Sequence, residues 1–143
     1  MYSFNYTLMS IQFLSDSLFK GELTVQKVGV TNITAAPGNT HNINFALESN
    51  NYSISANNAT NVITFVNLSA DLIGKQGNIT ITNPSSVGSL GWSVLPSTAY
   101  TPGGGTINFD TTANGIAVIS YFILAANKVL INYVGNFDSY PQP

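Results

Sequence analysis

The chain has no cysteine, no arginine, a single histidine and few charges of either sign. Without cysteine there is no disulfide framework and no thiolate metal site, and the redox compartment stays open. Lysine occurs only at Lys20, Lys27, Lys75 and Lys128. So sparse a set cannot displace the counterions of a phosphate backbone, which argues against a nucleic-acid partner. Charged residues make up 7% of the 143 positions, against ~25% in an ordinary soluble domain. Disorder does not follow from that shortage, because disordered chains pair high charge with low hydrophobicity, and here hydrophobic residues reach 44%. A long apolar run is missing too. The longest, Ile116 to Ala126, contains Ser120 and falls well short of the ~20 residues that span a bilayer. It reads as a buried strand, and no membrane partner is expected. Met1 to Leu14 is apolar but lacks the basic n-region and small-residue cleavage site of a secretory signal.

What is present is Asn, Ser, Thr and Gly, which must cover most of the surface. Net charge keeps molecules apart. A formal charge of −2 supplies little of that repulsion, so the exposed faces are expected to touch other protein.

Short β-type runs alternate with Pro, Gly, Asn and Ser clusters along the whole length. Strands are expected at Leu8–Leu14, Glu22–Val30, His41–Leu47, Tyr52–Ser55, Val62–Leu68 and Asn78–Thr82, then at Trp92–Leu95, Thr106–Phe109, Ile116–Leu124 and Lys128–Val134. The cleanest period-two pattern sets Ile43, Phe45 and Leu47 against Asn42, Asn44 and Ala46, one face buried and one wet. Ala125-Ala126-Asn127 is short enough for a hairpin. Pro102-Gly103-Gly104-Gly105 is a loop able to take positive φ. Ser69 to Gly74 reads as one helical turn, with Ser69 capping and Gly74 terminating it. About ten short strands at this spacing predict an all-β fold, an antiparallel β-sandwich of jelly-roll-like or barrel-like form with at most one short helical turn. Residues 1–143 are expected to form a single domain with an N-terminal arm at 1–6 and an extended tail at 136–143. The arm carries Tyr2, Phe4 and Tyr6 and the tail carries Phe137 and Tyr140. These five aromatics are the candidate subunit contacts. No internal repeat stands out beyond a weak echo between Asn61-Val-Ile-Thr-Phe and Asn78-Ile-Thr-Ile.

One block carries a resemblance. Gly77-Asn-Ile-Thr-Ile81, Trp92 with Leu95-Pro96, Gly103-Gly104-Gly105, Ile107 to Phe109, Ile116 to Phe122 and Tyr133-Val-Gly135 follow one another in order. The stretch from about residue 74 to 135 thereby resembles a β module found in many bacteriophage tail-fibre, appendage and virion-surface proteins. Trp92 stands four residues before Pro96, where the module usually has the two adjacent. The resemblance implies a β-rich virion protein, often trimeric, on a fibre or capsid surface, and it implies no shared enzymatic activity.

The residues themselves add little chemistry. His41 follows a Gly-Asn-Thr turn with no flanking signature and reads as a surface histidine at a strand start. A catalytic triad is defined by geometry rather than by residue types. Asp16, Glu22, Glu48, Asp71, Asp110 and Asp138 are scattered, with no pair marked for glycosidase chemistry and no calcium loop. The glycine run is no phosphate cradle, since Thr106-Ile-Asn-Phe follows it where a P-loop needs Gly-Lys-Ser/Thr opening a helix. Asn-x-Ser/Thr triplets at Asn5, Asn32, Asn51, Asn58, Asn67 and Asn78 read as strand and turn chemistry. Trp92 reads as a core residue. Tyr100, beside the Pro-Gly loop, is the candidate exposed binding aromatic. The expectation is a non-enzymatic structural virion protein without cofactor or metal. It would self-assemble, as a trimer by preference, through low-charge β faces and touch other virion proteins. The alternative is a receptor- or carbohydrate-binding module of a phage appendage that meets a host-surface glycan. A small hydrolase is the third reading, disfavoured by the single histidine and absent arginine.

Overall fold

The computed structural model describes residues 29–93 and 95–137. The strands expected before Gly29, the arm with Tyr2, Phe4 and Tyr6, and Tyr140 in the tail lie outside those residues. Among the described residues the regular structure is β apart from two 3-10 turns. The strands are β1 (Val30–Ile33), β2 (Thr40–Asn44), β3 (Asn51–Ser55), β4 (Thr60–Val66), β5 (Gln76–Thr82), β6 (Gly91–Trp92), β7 (Ala99–Tyr100), β8 (Ile116–Ala125) and β9 (Lys128–Phe137).

They form a six-stranded sheet in the order β1-β3-β5-β8-β9-β7 and a three-stranded sheet in the order β2-β4-β6. From β1 to β6 the chain alternates strictly between the two. Each strand therefore lies beside the one two places earlier, and the pairs β1–β3, β3–β5, β2–β4 and β4–β6 are all parallel. This corrects the antiparallel expectation. A parallel pair needs a crossover of a dozen or more residues, usually a helix. Here a strand of the opposite sheet fills that crossover. Turns short enough for hairpins, such as 34–39 and 45–50, instead carry the chain from one sheet to the other. Asn39 and Gly38 take left-handed φ of 56 and 76° in the first of these turns, a conformation Asn and Gly tolerate best. Among the described residues, antiparallel strand pairs are β5–β8 and β8–β9, with one isolated antiparallel bridge between Ala36 and Thr40. The expected hairpin does form there, with Ala125 paired to Lys128.

The inward faces of both sheets meet in one apolar cluster. It holds Ile43, Phe45 and Ile63 with Tyr52, Ile54, Ile79, Ile81, Ile119, Ile123 and Ile131. Burying one such side chain contributes about 1.5–3 kcal/mol. Phe45 sits at the centre, its ring centroid 5.9 Å from Tyr52, 5.3 Å from Phe65 and 4.9 Å from Tyr121. The two tyrosines keep their hydroxyls satisfied at the core's margin. Tyr52 donates to the Asn44 carbonyl at 2.9 Å and Tyr121 to the Asn50 carbonyl at 2.8 Å. The Lys75 ammonium closes the end of β2 by donating to the Phe45 and Leu47 carbonyls at 2.6 and 2.5 Å. Its partial burial holds its pKa below the usual lysine value.

Several local expectations change. The helical turn at Ala70–Leu72 exists, but Ser69 makes no side-chain cap to the backbone. A second 3-10 turn, Pro102–Gly104, occupies the glycine loop, with Gly103 and Gly104 at φ 65 and 69°. Thr106–Phe109 is not a strand, since no ladder is open to it. Its apolar members instead pack inward, Phe109 lying 5.0 Å from Trp92 and 6.0 Å from Tyr133 by ring centroid. Leu47 ends beyond β2 and is exposed. The run from Ile116 is not buried throughout. Ala117, Ile119, Tyr121 and Ile123 point into the core, while Ile116 and Leu124 are exposed. The expected tail begins inside β9, because Asn136 and Phe137 still pair with Ala117 and Ile116.

Candidate functional site

His41 is not the surface residue expected from its turn. Period two places it on the same face as Ile43 and Phe45, and it is fully buried. Its Nε2–H donates to Asn61 Oδ1 at 3.0 Å, an atom that can only accept, which fixes the tautomer. Asn61, also fully buried, turns its amide nitrogen to the carbonyls of Asn57 and Ala59, both at 2.8 Å. The pair thus fastens β2 to the turn before β4, while His41 Nδ1 is buried without a partner among the described residues. The imidazole's partner is an amide and not a carboxylate, and no solvent reaches it. Trp92 packs 6.2 Å from the imidazole by ring centroid, the half-buried core position expected for it. Asp110 accepts from Thr112 through one carboxylate oxygen at 3.1 and 2.8 Å, an Asx turn of the kind aspartate favours. Among the described residues no three of His, Cys, Asp and Glu gather in a group that could hold a metal ion.

The arrangement that could meet a ligand lies on the outer face of the six-stranded sheet, opposite the core. Strand register builds it as two rungs. In the first, Gln76 stands opposite Phe122, Phe122 opposite Leu130, and Leu130 opposite Tyr100. In the second, Asn78 stands opposite Ser120 and Ser120 opposite Asn132. Residues two apart on a strand are about 7 Å apart, so an apolar row runs beside an amide row at that separation. Thr101 and Pro102 form a wall, and the groove between wall and sheet measures about 670 Å³. Ligand pockets span roughly 300–1,000 Å³.

Tyr100 is 44% exposed, in line with its reading as an exposed aromatic. The cause is local. β7 is an edge strand of two residues with Ala99 turned inward, which leaves Tyr100 on the outer face. The Lys128 ammonium lies 5.5 Å from its ring centroid, a cation–π contact that favours one ring orientation. The other outward members of the groove were not foreseen, because the run from Ile116 reads as buried. Ser120 in its middle is the signal that the strand has a wet face.

A second surface feature sits at the other end of the β8–β9 hairpin. Ile116 pairs with Phe137, and Val134 is the extra residue of a bulge beside them, between the Val118–Gly135 and Ile119–Tyr133 pairs. All three are exposed, Val134 and Phe137 by 53 and 52%. Of the proposed subunit contacts, Phe137 alone falls among the described residues. Searches of protein-family models, of curated proteins and of solved structures find no match to this chain.

Proposed function

We propose that this chain is a non-enzymatic structural protein that assembles with copies of itself through uncharged β faces. The setting is the one its resemblance suggests, the surface of a bacteriophage particle, as a capsid decoration or a tail or fibre component. In this reading the two sheets make a sandwich-type domain and the assembly is a trimer. The observation that carries it is the Ile116–Val134–Phe137 patch. Ile116 and Phe137 stand opposite each other and Val134 lies three residues earlier on β9, all three exposed and apolar. Singly exposed apolar residues need no explanation, but grouped ones mark interaction surfaces. Light scattering on the purified chain at micromolar concentration tests it. A trimer is expected, with Phe137→Glu shifting the mass toward one chain. A wild-type chain that stays monomeric overturns the self-assembly.

A second reading is favoured by a different observation. The groove beside Tyr100 combines an exposed aromatic ring with side-chain amides, the elements a receptor- or carbohydrate-binding module needs. It and the Ile116–Val134–Phe137 patch lie toward opposite ends of β8 and β9, with the Val118–Gly135 pair between the groove and the Ile116–Phe137 pair, so the two readings are compatible in one molecule.

A further inference from the structure

We infer that the groove on β5, β8, β9 and β7 is a site for a neutral oligosaccharide, with Tyr100, Phe122 and Leu130 as the platform and Gln76, Asn78 and Asn132 as the hydroxyl-reading groups. This rests on the carbohydrate-binding reading and narrows it to uncharged sugars.

Charge decides the class. Every residue lining the groove is uncharged. A sialic or uronic acid would leave its carboxylate without a cationic partner, and an amine-bearing ligand would find no carboxylate. Buried or half-buried charge without a partner is costly, so the groove selects against both. Lys128, whose ammonium sits over the Tyr100 ring, does not line the groove.

The pattern of the floor decides between a sugar and a flat apolar ligand. A pyranose ring has an apolar face of C–H groups and a rim of hydroxyls, each both donor and acceptor. The first rung offers it a ring and two apolar side chains. The second rung offers carboxamides, which also donate and accept. None of the Gln76, Asn78 and Asn132 amides is committed to a hydrogen bond within the described residues. Ser120 Oγ, between two of them, makes only a long 3.4 Å contact to the Asn132 carbonyl. A sugar lying on the apolar rung turns its rim toward the amide rung about 7 Å away along the strands. A purely apolar ligand would desolvate those amides and give nothing back. The groove opens along the sheet face, so it admits a chain of sugars.

The test is a titration of the full chain, followed by amide chemical shifts, with three neutral hexasaccharides (an α-glucan, a β-glucan and a mannan) and with an oligogalacturonate and a sialylated trisaccharide. The expected result is binding of at least one neutral chain, with shifts centred on Tyr100, Phe122 and Asn132. Binding should be unchanged by added sodium chloride and weakened about tenfold or more by Tyr100→Ala and by Asn132→Ala, which corresponds to ~1.4 kcal/mol each. Both positions are exposed, so folding is retained, and an unchanged melting temperature verifies that. Preferential binding of either acidic sugar in the groove overturns the neutral class while leaving the carbohydrate-binding reading standing. Absence of binding to all five, or binding undiminished in Tyr100→Ala, overturns both.

Discussion

At the scale of single residues, the tightest constraints fall where backbone meets backbone. A methyl group on Gly77 would lie 1.7 Å from the Asn50 carbonyl oxygen and 3.1 Å from the Tyr121 hydroxyl. The obstacle is main chain and cannot swing aside. Gly77→Ala is expected to cost about 3 kcal/mol or more, at the upper end of overpacking effects. Gly91→Ala meets only Thr60 Oγ1 at 3.7 Å and should be far milder. Urea denaturation of the two variants checks the contrast. The tyrosines beneath give a pH prediction. Burial raises the Tyr52 pKa from 10.0 to about 12, and raises that of Tyr121 further, with Tyr52 itself adding to the effect. A folded-state pKa above the unfolded value means that the unfolded chain loses its proton first. Stability is therefore full below pH 10 and declines as pH climbs from about 10 toward 12 and beyond. Melting temperature against pH should show that fall, and Tyr52→Phe should make it shallower while losing about 1 kcal/mol at neutral pH with the hydroxyl's bond to the Asn44 carbonyl, which keeps the Leu47 N–H as its partner.

At the scale of elements, β8 bears the most. It pairs on both sides, with β5 and β9, and its inward residues fill the core. Ile119→Ala should cost about 3 kcal/mol by leaving a cavity, whereas Ile116→Ala, on the exposed face at the start of β8, should cost under ~1 kcal/mol. Thermal unfolding of both variants tests whether the alternation along β8 is real. This alternation also marks what the sequence could disclose. Tyr52–Ser55, Asn78–Thr82 and the β8–β9 hairpin are legible because period-two spacing and a two-residue link are local signals. His41 was legible in principle, since it shares its parity with Ile43 and Phe45, but a polar residue beside a turn invites a surface reading. The parallel pairing was not legible. Turn chemistry says that the chain reverses, not whether the next strand joins its own sheet or the other. The successive coils also differ in length, Val30 pairing with Asn51 but Asn51 with Asn78, so no fixed period betrays them. Thr106–Phe109 has the composition of a strand and lacks only a neighbour, which composition does not supply. Of the groove, Tyr100 was visible from its Pro-Gly neighbour. The row Gln76–Phe122–Leu130–Tyr100 comes from four strands and exists only once register is set.

At the scale of the molecule, the shortage of charge governs how it meets anything else. In the proposed assembly, contacts through Ile116, Val134 and Phe137 would draw on apolar burial, which excluded salts such as sulfate strengthen, and not on ion pairs, which salt screens. Sedimentation in rising ammonium sulfate should therefore show a shift toward the assembled form, where a charge-driven association would loosen. The alternation of β1 to β6 between two sheets has one more consequence. Any break in the chain between Asn44 and Gly91 leaves each piece holding strands of both sheets, with a ladder to the other piece in each sheet. A protease that nicks the Asn57–Asn58 turn would release nothing. The severed halves stay threaded together and leave a sizing column as one species until a denaturant parts them.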